Sequence, residues 1–304
     1  MRILMTGGTG LIGRALCSAL VTDGHLVTVL SRTPDSSRDM PKGVTVEEWD
    51  AETTQGWGHL MNGVDGVVNL AGAGIADAPW TDKRKHLIRE SRIQAGLALQ
   101  KAIEAAEKKP QVLIQASAVG YYGQDHGDEI ITESSPAGHD FLAKVCYDWE
   151  MSTAPVTRMG VRRVVIRTGI VLSNKGGAFP KIKLPFKFFA GGALGNGKQW
   201  MPWIHIHDEV RAIQHLLTHE NASGAYNLAA PNPVTNKSFS QILGAQMGRP
   251  ALLPAPTFAL KAVLGEMSTI LLDGQRALPE KLEESGYVFT FPTAQEALGQ
   301  LVKK

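Results

Sequence analysis

Gly7, Gly10 and Gly13 fall at three-residue intervals in TGGTGLIG, directly after the apolar run 1–5. Beyond them apolar residues recur at helical spacing: Leu11, Ile12, Ala15, Leu16, Ala19 and Leu20. A strand that turns through glycine straight into a helix presents unpaired backbone N–H groups, and the missing Cβ atoms let a pyrophosphate approach them. The spacing G-x-x-G-x-x-G therefore predicts a dinucleotide cradle, with Gly7, Gly10, Gly13 and the first-turn residues Leu11 and Ile12 beside the ligand. A glycine-rich link between strand and helix, with no ligand, is the plain alternative.

The second strand should end on the group that meets the adenosine ribose. An acid there would bond the 2′-hydroxyl, but VLSRTP offers Ser31 and Arg32. A hydroxyl and a guanidinium suit an anionic 2′-phosphate, which an aspartate would repel. NADP(H) is thus favoured over NAD(H). Asp50, after the third strand, is placed near the adenine amino group, and Leu70, Ala71 and Gly72 in NLAG supply backbone beside the cofactor.

These residues must be held by a sheet. Strand-like runs recur as RILMTG, LVTVLSR, GVTVEEWD, DGVVNLAG, VLIQASAVG and RRVVIRTGIVLS, with the long amphipathic stretch 81–109 between the fourth and fifth. Strands alternating with helices predict an α/β fold, a Rossmann-type doubly wound parallel sheet with a smaller, partly discontinuous C-terminal lobe. After Ser173 the chain turns to loops rich in glycine and aromatics. We place residues 1–173 in an NADP(H)-binding domain and 174–304 mainly in a substrate-side lobe. MPWIHIHDEVRAIQHLL reads as a return from strand to core helix, so a segment near 200–230 rejoins the first domain.

The 304 residues, 43% hydrophobic and 20% charged, can bury one large core or two modest ones. A formal net charge of +2 favours neither nucleic acid nor membrane as partner, which leaves a small-molecule substrate. Cys17 and Cys146 are too few and too distant for a disulfide framework, and the first strand starts at Met1 with no signal peptide ahead of it. The expected location is the cytoplasm.

Taken together, the chain resembles the extended, epimerase-like short-chain dehydrogenases/reductases. The resemblance tightens to their atypical YfcH-like subgroup, also labelled epimerase family or SulA homologue, through TGGTGLIG, SRTP, NLAGAGIAD, PWTDKRK, ASAVGYYG, RTGIVLS, LGNGKQWMPWIHIHD and DGQRALPEKLEESGY. It implies a Rossmann domain, NADP(H) binding and a small lobe closing over a substrate. It also implies that Arg92 in ESRIQ reaches the cofactor phosphates and that Val171 in RTGIVLS lies beside the cofactor.

Extended members carry their chemistry on a Ser or Thr near the end of the fifth strand and on a Tyr-x-x-x-Lys pair. Ser117 fits the first role. The pair is absent: Asp140 stands four residues before Lys144, and Tyr147 is followed four residues later by Met151. Tyr121 and Tyr122 are then the nearest phenols to carry a proton, with Lys144 as the cation that supports them.

WIHIHD places His205 and His207 on one strand face with Asp208 following, but no third convergent ligand is evident and no metal is expected. GGALGNGKQW predicts a donor-rich loop at the substrate, and Gly195, Gln199, Trp203 and His205 are assigned there. KIKLPFKFF reads as a core-facing segment with solvated lysines. Two classes of function follow: an NADP(H)-dependent oxidoreductase or epimerase-like enzyme acting on a small polar carbonyl compound such as a sugar nucleotide, or an NADP(H) sensor that kept the cradle and lost the dyad.

Overall fold

The computed structural model describes residues 1–34, 40–124 and 126–303. Its centre is a seven-stranded sheet. The strands are β1 (Arg2–Thr6), β2 (Leu26–Ser31), β3 (Val44–Glu48), β4 (Gly66–Asn69), β5 (Val112–Ala118), β6 (Arg162–Thr168) and β7 (Gly224–Leu228). They lie in the order β7-β6-β5-β4-β1-β2-β3, every pairing parallel. The order reverses between β1 and β4, which opens a crevice at their carboxyl ends.

Alternation along the strands feeds two cores. Ile3 and Met5 of β1 face α1 (Leu11–Thr22) and a later helix, while Leu4 between them faces α2 (Asp82–Ala105) with Leu99 and Ile103. A strand covered on both faces reads as a continuous apolar run, which is why the central strands are visible in sequence. Thr81 caps α2 by accepting from the Arg84 N–H, and Asp140 caps α3 (Phe141–Met151) by accepting from the Ala143 N–H.

The six strand-like runs appear as β1 to β6. The seventh, GAYNL, was not singled out in the sequence; it pairs with β6 at the sheet edge. Between the last two strands the chain leaves the sheet. The pair Ile170–Leu172 and Trp203–His205 brackets α4 (Phe179–Lys187), and α5 (Ile206–Thr218) then returns to pack Val210, Ile213 and Leu217 into the first core. A separate core gathers Leu172, Phe179, Phe186, Trp203, Phe239 and Leu298, including residues from α6 (Asn236–Met247) and the C-terminal helix Ala294–Val302. KIKLPFKFF is only partly core-facing: Phe186 is buried, whereas Phe188 and Phe189 are exposed.

Asp208 ties the last segment to α5, its carboxylate accepting from the Tyr287 hydroxyl at 3.1 Å and the backbone N–H groups of Thr290 at 2.8 Å and Phe291 at 2.9 Å. Its neighbour Glu209 is fully buried; among the described residues its carboxyl takes one hydrogen bond, from Thr168 Oγ1 at 2.8 Å, and its Oε2 has no partner. Burial pushes this carboxyl up to about 8. The folded state therefore holds Glu209 neutral, so its contribution is fully present in acid and is lost as pH rises from the unfolded carboxyl value through about 8. Relative to the parent, Glu209→Gln should gain stability between pH 5 and pH 8, by up to about 4 kcal/mol. Chemical denaturation of both proteins across that range checks it; a constant difference contradicts it.

Candidate functional site

The glycines at the end of β1 divide by role. Gly7 adopts φ +67°, and a Cβ there would lie 2.6 Å from the Leu70 carbonyl carbon and oxygen. At Gly13 a Cβ would come within 2.4 Å of the Gly7 oxygen and 2.6 Å of the Gly8 Cα. Both are demanded by close packing of β1, β4 and α1. Gly10 is not: its φ is −77°, and a Cβ would meet only the Gly7 oxygen, at 3.3 Å. The outer side of the loop is open where α1 begins, the place an anion would use. Leu11, in the first turn, lies under Gly177, whose Cβ would be 2.9 Å from Leu11 Cδ2; the same Cβ would be 3.8 Å from the Val171 oxygen. Ile12, also in that turn, packs against the first core. The loop after Ser173 therefore borders the cradle.

Beside the turn after β4 stands Arg92. It is 9% exposed, and its Nη1 donates to the carbonyls of Ala73 at 2.9 Å and Ile88 at 2.8 Å. The guanidinium lies 4.8 Å over the Trp149 ring and against Gly72, where a Cβ would be 2.9 Å from Cζ. It forms no ion pair among the described residues. Burial lowers its pKa, and a buried cation without a counter-charge is a place prepared for an anion. Leu70 and Ala71 hold the adjoining turn, with the Leu70 N–H donating to the Thr6 carbonyl at 3.2 Å and the Ala71 N–H to Asn69 Oδ1 at 3.4 Å.

At the end of β2, Ser31 is buried and its hydroxyl accepts from the Thr33 N–H at 3.2 Å. Arg32 beside it is exposed and forms no ion pair among the described residues. Asp50, read as an adenine contact, is exposed and holds its own turn. Its carboxylate closes its own turn, accepting from the Thr53 hydroxyl at 2.6 Å and from the N–H groups of Thr53 and Glu52 at 2.8 Å, bonds that hold it below the usual carboxylate range.

The candidate proton carriers are rearranged most. Ser117 is buried and donates to Glu150 Oε1 at 2.7 Å. Glu150 is gripped by Arg167, Nε to Oε1 at 2.9 Å and Nη2 to Oε2 at 3.0 Å. Tyr122 donates to Asn227 Oδ1 at 2.6 Å and accepts from Arg167 Nη1 at 3.1 Å; burial pushes its phenol up to about 12. Lys144 is exposed on α3. Ser117, Tyr122 and Lys144 therefore do not meet as a relay, because two are sealed in a buried network and the third faces outward. Tyr121 alone stays half-buried, its ring 3.4 Å from the Arg167 Cζ and its hydroxyl with no hydrogen bond among the described residues.

Glu150, Arg167 and Asn227 were missed in the sequence. A signal was present: Glu150 follows Cys146 and Trp149 on the buried face of α3, and Arg167 interrupts the apolar run of β6. A charge at a core position asks for a partner.

The substrate-side candidates also scatter. Gly195 sits at φ +60° with its N–H donating to the Ala255 carbonyl at 2.8 Å. Gln199 Nε2 donates to the Leu194 carbonyl at 3.0 Å and the Leu271 carbonyl at 2.8 Å, leaving Oε1 buried without a partner. Trp203 is fully buried in the C-terminal core. His205 is buried as well, accepting on Nδ1 from the His207 N–H and pairing on Nε2 with Gln300 Oε1, each at 3.1 Å. Both side chains, assigned to the substrate from the sequence, are thus enclosed by protein in this structure. A cleft of about 1020 Å³ lies elsewhere, between α1 and α5 at the amino end of β1, lined by Met1, His25, Arg211, Gln214 and Tyr287. It is remote from the glycine loop, and its polar groups pair among themselves, Gln214 with Asp23 at 2.6 Å.

Residues 3–229 match the model of the NAD dependent epimerase/dehydratase family, and residues 255–301 match a domain of unknown function, DUF1731. The chain is 40% identical over 302 residues to the epimerase family protein YfhF of Bacillus subtilis (strain 168), covering 99% of this chain and 98% of that one. It is similar, with a TM-score of 0.90 and 34% identity over 99% of both chains, to the crystal structure of human epimerase family protein SDR39U1 (isoform 2) with NADPH. A UDP-glucuronic acid 4-epimerase from Bacillus cereus shares the fold, with a TM-score of 0.79 at 18% identity over 99% of this chain and 98% of that one.

The two glycine roles separate experimentally. Gly13→Ala should cost roughly 1–3 kcal/mol of stability through overpacking. Gly10→Val should melt close to the parent yet bind NADPH at least about tenfold more weakly, since its side chain fills the phosphate approach rather than the core. Thermal melting with fluorescence titration of NADPH checks both, and full binding by folded Gly10→Val would make the loop purely structural.

Proposed function

The chain belongs to the NAD dependent epimerase/dehydratase family, and from that membership we propose an NADP(H)-dependent oxidoreductase or epimerase-like enzyme acting on a small polar carbonyl compound. The observation that carries the reading is Arg92, a buried cation without a carboxylate partner among the described residues, packed against Gly72 in the turn after β4 whose Leu70 and Ala71 meet Gly7 of the glycine loop. Gly7, Gly10, Gly13 and Arg92 would hold the pyrophosphate; Leu70, Ala71, Gly72 and Val171 would border the cofactor. Ser31 and Arg32 would take the 2′-phosphate, and the NADPH in the human relative supports that choice. A nicotinamide cofactor held there would supply the hydride chemistry. Tyr121 is the side chain we assign to give or take the proton, because it is the one phenol near the end of β5 whose hydroxyl is not already committed. A cytoplasmic location is supported by Cys17 and Cys146, both buried and free, and the balanced net charge supports a small molecule rather than nucleic acid as the substrate-side partner.

The sensing alternative has its own support. Ser117 and Tyr122 spend their hydroxyls on Glu150, Arg167 and Asn227, so the cradle is better equipped than the reaction centre. A protein that reads cofactor occupancy needs only the cradle.

Cofactor choice is tested by calorimetric titration: NADPH should bind roughly tenfold or more tightly than NADH, and Arg32→Ala should erase most of that preference. Equal affinities in the parent would reverse the assignment. Catalysis is tested by screening carbonyl compounds for NADPH oxidation. With a substrate in hand, Tyr121→Phe should lower turnover about a hundredfold with NADPH affinity nearly unchanged, whereas normal turnover by this variant would remove Tyr121 from the mechanism. Tight NADPH binding with no carbonyl compound reduced would favour the sensor.

A further inference from the structure

The C-terminal lobe carries an apolar surface that no other part of the described structure covers. Phe188 is 73% exposed, Leu252 78% and Phe258 77%, with Leu184, Phe189 and Leu253 each at least half exposed. Two stretches of chain build this face side by side. Gly191 bridges Ala251 and Leu194 bridges Ala255, the Leu253 N–H donates to the Gly191 carbonyl at 3.1 Å, and Arg249 stacks 4.3 Å over the Phe189 ring. The chain continues from there into α7 (Thr257–Leu264), sequence TFALKAVL, an apolar helix of eight residues none of which is buried. Exposed apolar area of this extent is characteristic of an interaction site.

The charge around it selects the partner. Stretches 178–201 and 229–265 contain seven Lys and Arg residues and no Asp or Glu. Lys181, Lys187, Arg249 and Lys261 are exposed among the apolar side chains. Glu266, just beyond α7, is already paired with Lys85. A second copy docked through a twofold axis would set this cationic face against itself with no acid to compensate, which like-charge repulsion disfavours. Nucleic acid would answer the lysines but leaves the aliphatic side chains without a partner. An anionic bilayer answers both, taking Phe and Leu at the level of the acyl boundary while the cations sit among the headgroups.

We propose that the face formed by residues 181–189 and 249–263 docks the protein on an anionic phospholipid surface as a peripheral contact. This reverses the expectation drawn from net charge. The formal +2 averages over the whole chain, whereas folding collects seven cations and no acids from two separate stretches into one lobe. No helix among the described residues is long and apolar enough to cross a membrane, so the attachment is to the surface. It is independent of the cofactor reading, because none of its residues belongs to the cradle.

The experiment is sedimentation of the full chain with vesicles of phosphatidylcholine alone and of equal parts phosphatidylcholine and phosphatidylglycerol. The protein should pellet with the mixed vesicles and stay in solution with the neutral ones, and added salt should release it. The paired change Leu252→Ser with Leu253→Ser should weaken anionic-vesicle binding roughly tenfold or more, and so should Lys181→Gln with Lys187→Gln. Thermal melting and NADPH titration verify that each variant is folded. The lysine pair, exposed and replaced by a good helix former, keeps the test open should the leucine pair misfold. No binding to mixed vesicles, equal binding to neutral ones, or undiminished binding by folded variants would overturn the proposal. So would light scattering that finds a dimer dissolved by the leucine changes, since a second copy would then own the face.

Discussion

One buried ion pair organises the carboxyl end of the sheet. The Arg167 and Glu150 side chains are 6% and 11% exposed, and each would be costly alone at that depth. Glu150 comes from α3, Arg167 from β6, and the polar groups around them complete the pair. Ser117 at the end of β5 gives its proton to Glu150, Tyr122 meets Arg167, and Asn227 of β7 takes the Tyr122 hydroxyl while its own Nδ2 donates to the Leu278 carbonyl at 2.9 Å. A single connected network thus joins a helix, three strands and the C-terminal segment. It is stable only when complete, since a half-satisfied buried network is worse than an apolar one. The side chains with the chemistry of a proton relay are therefore occupied in holding the frame.

The fold was legible because the elements that make it carry redundant signals. Six apolar runs at regular intervals, a long amphipathic helix and glycine at the β1 turn all demand the same parallel sheet. The edge strand GAYNL carried no such redundancy, being short and polar at its middle. The candidate site was legible where backbone builds it and illegible where side-chain direction decides. Gly7 and Gly13 are fixed by the approach of Leu70 and the first turn of α1, which any sequence with this turn must respect. Ser117 is different. Residues on a strand alternate faces, so one position along β5 separates a hydroxyl facing α3 from one facing the crevice, and composition cannot tell which. His205 and Trp203 turn on the same distinction, since a polar or aromatic residue at a strand end is equally a helix cap or a core filler.

The crevice reveals what the cradle is shaped to receive. At Gly10 the backbone needs no glycine for its own sake, and at Arg92 the interior holds a positive charge that protein carboxylates leave unmatched. The first is a small cost, whereas a buried charge without a counter-charge is a large one. On the reading proposed above, an anion between the start of α1 and the turn after β4 would answer both. Binding is thus written into the scaffold more firmly than any reaction, in keeping with the rule that fold and cradle do not name the chemistry.

Tyr121 sits where the two themes meet. Its ring lies on the Arg167 guanidinium, so at first sight it has the cation that a lysine supplies in the usual dyad. That cation differs from a free lysine because both Glu150 oxygens already accept from it. The pair brings little net positive charge to the ring, and what it contributes is position: a flat, immobile floor under the phenol. A phenol held this way is placed to exchange a proton with a substrate oxygen, giving it to a carbonyl under reduction and taking it back from the alcohol in the reverse direction. The same buried pair that withdrew Ser117 and Tyr122 would then be what keeps the remaining hydroxyl in place.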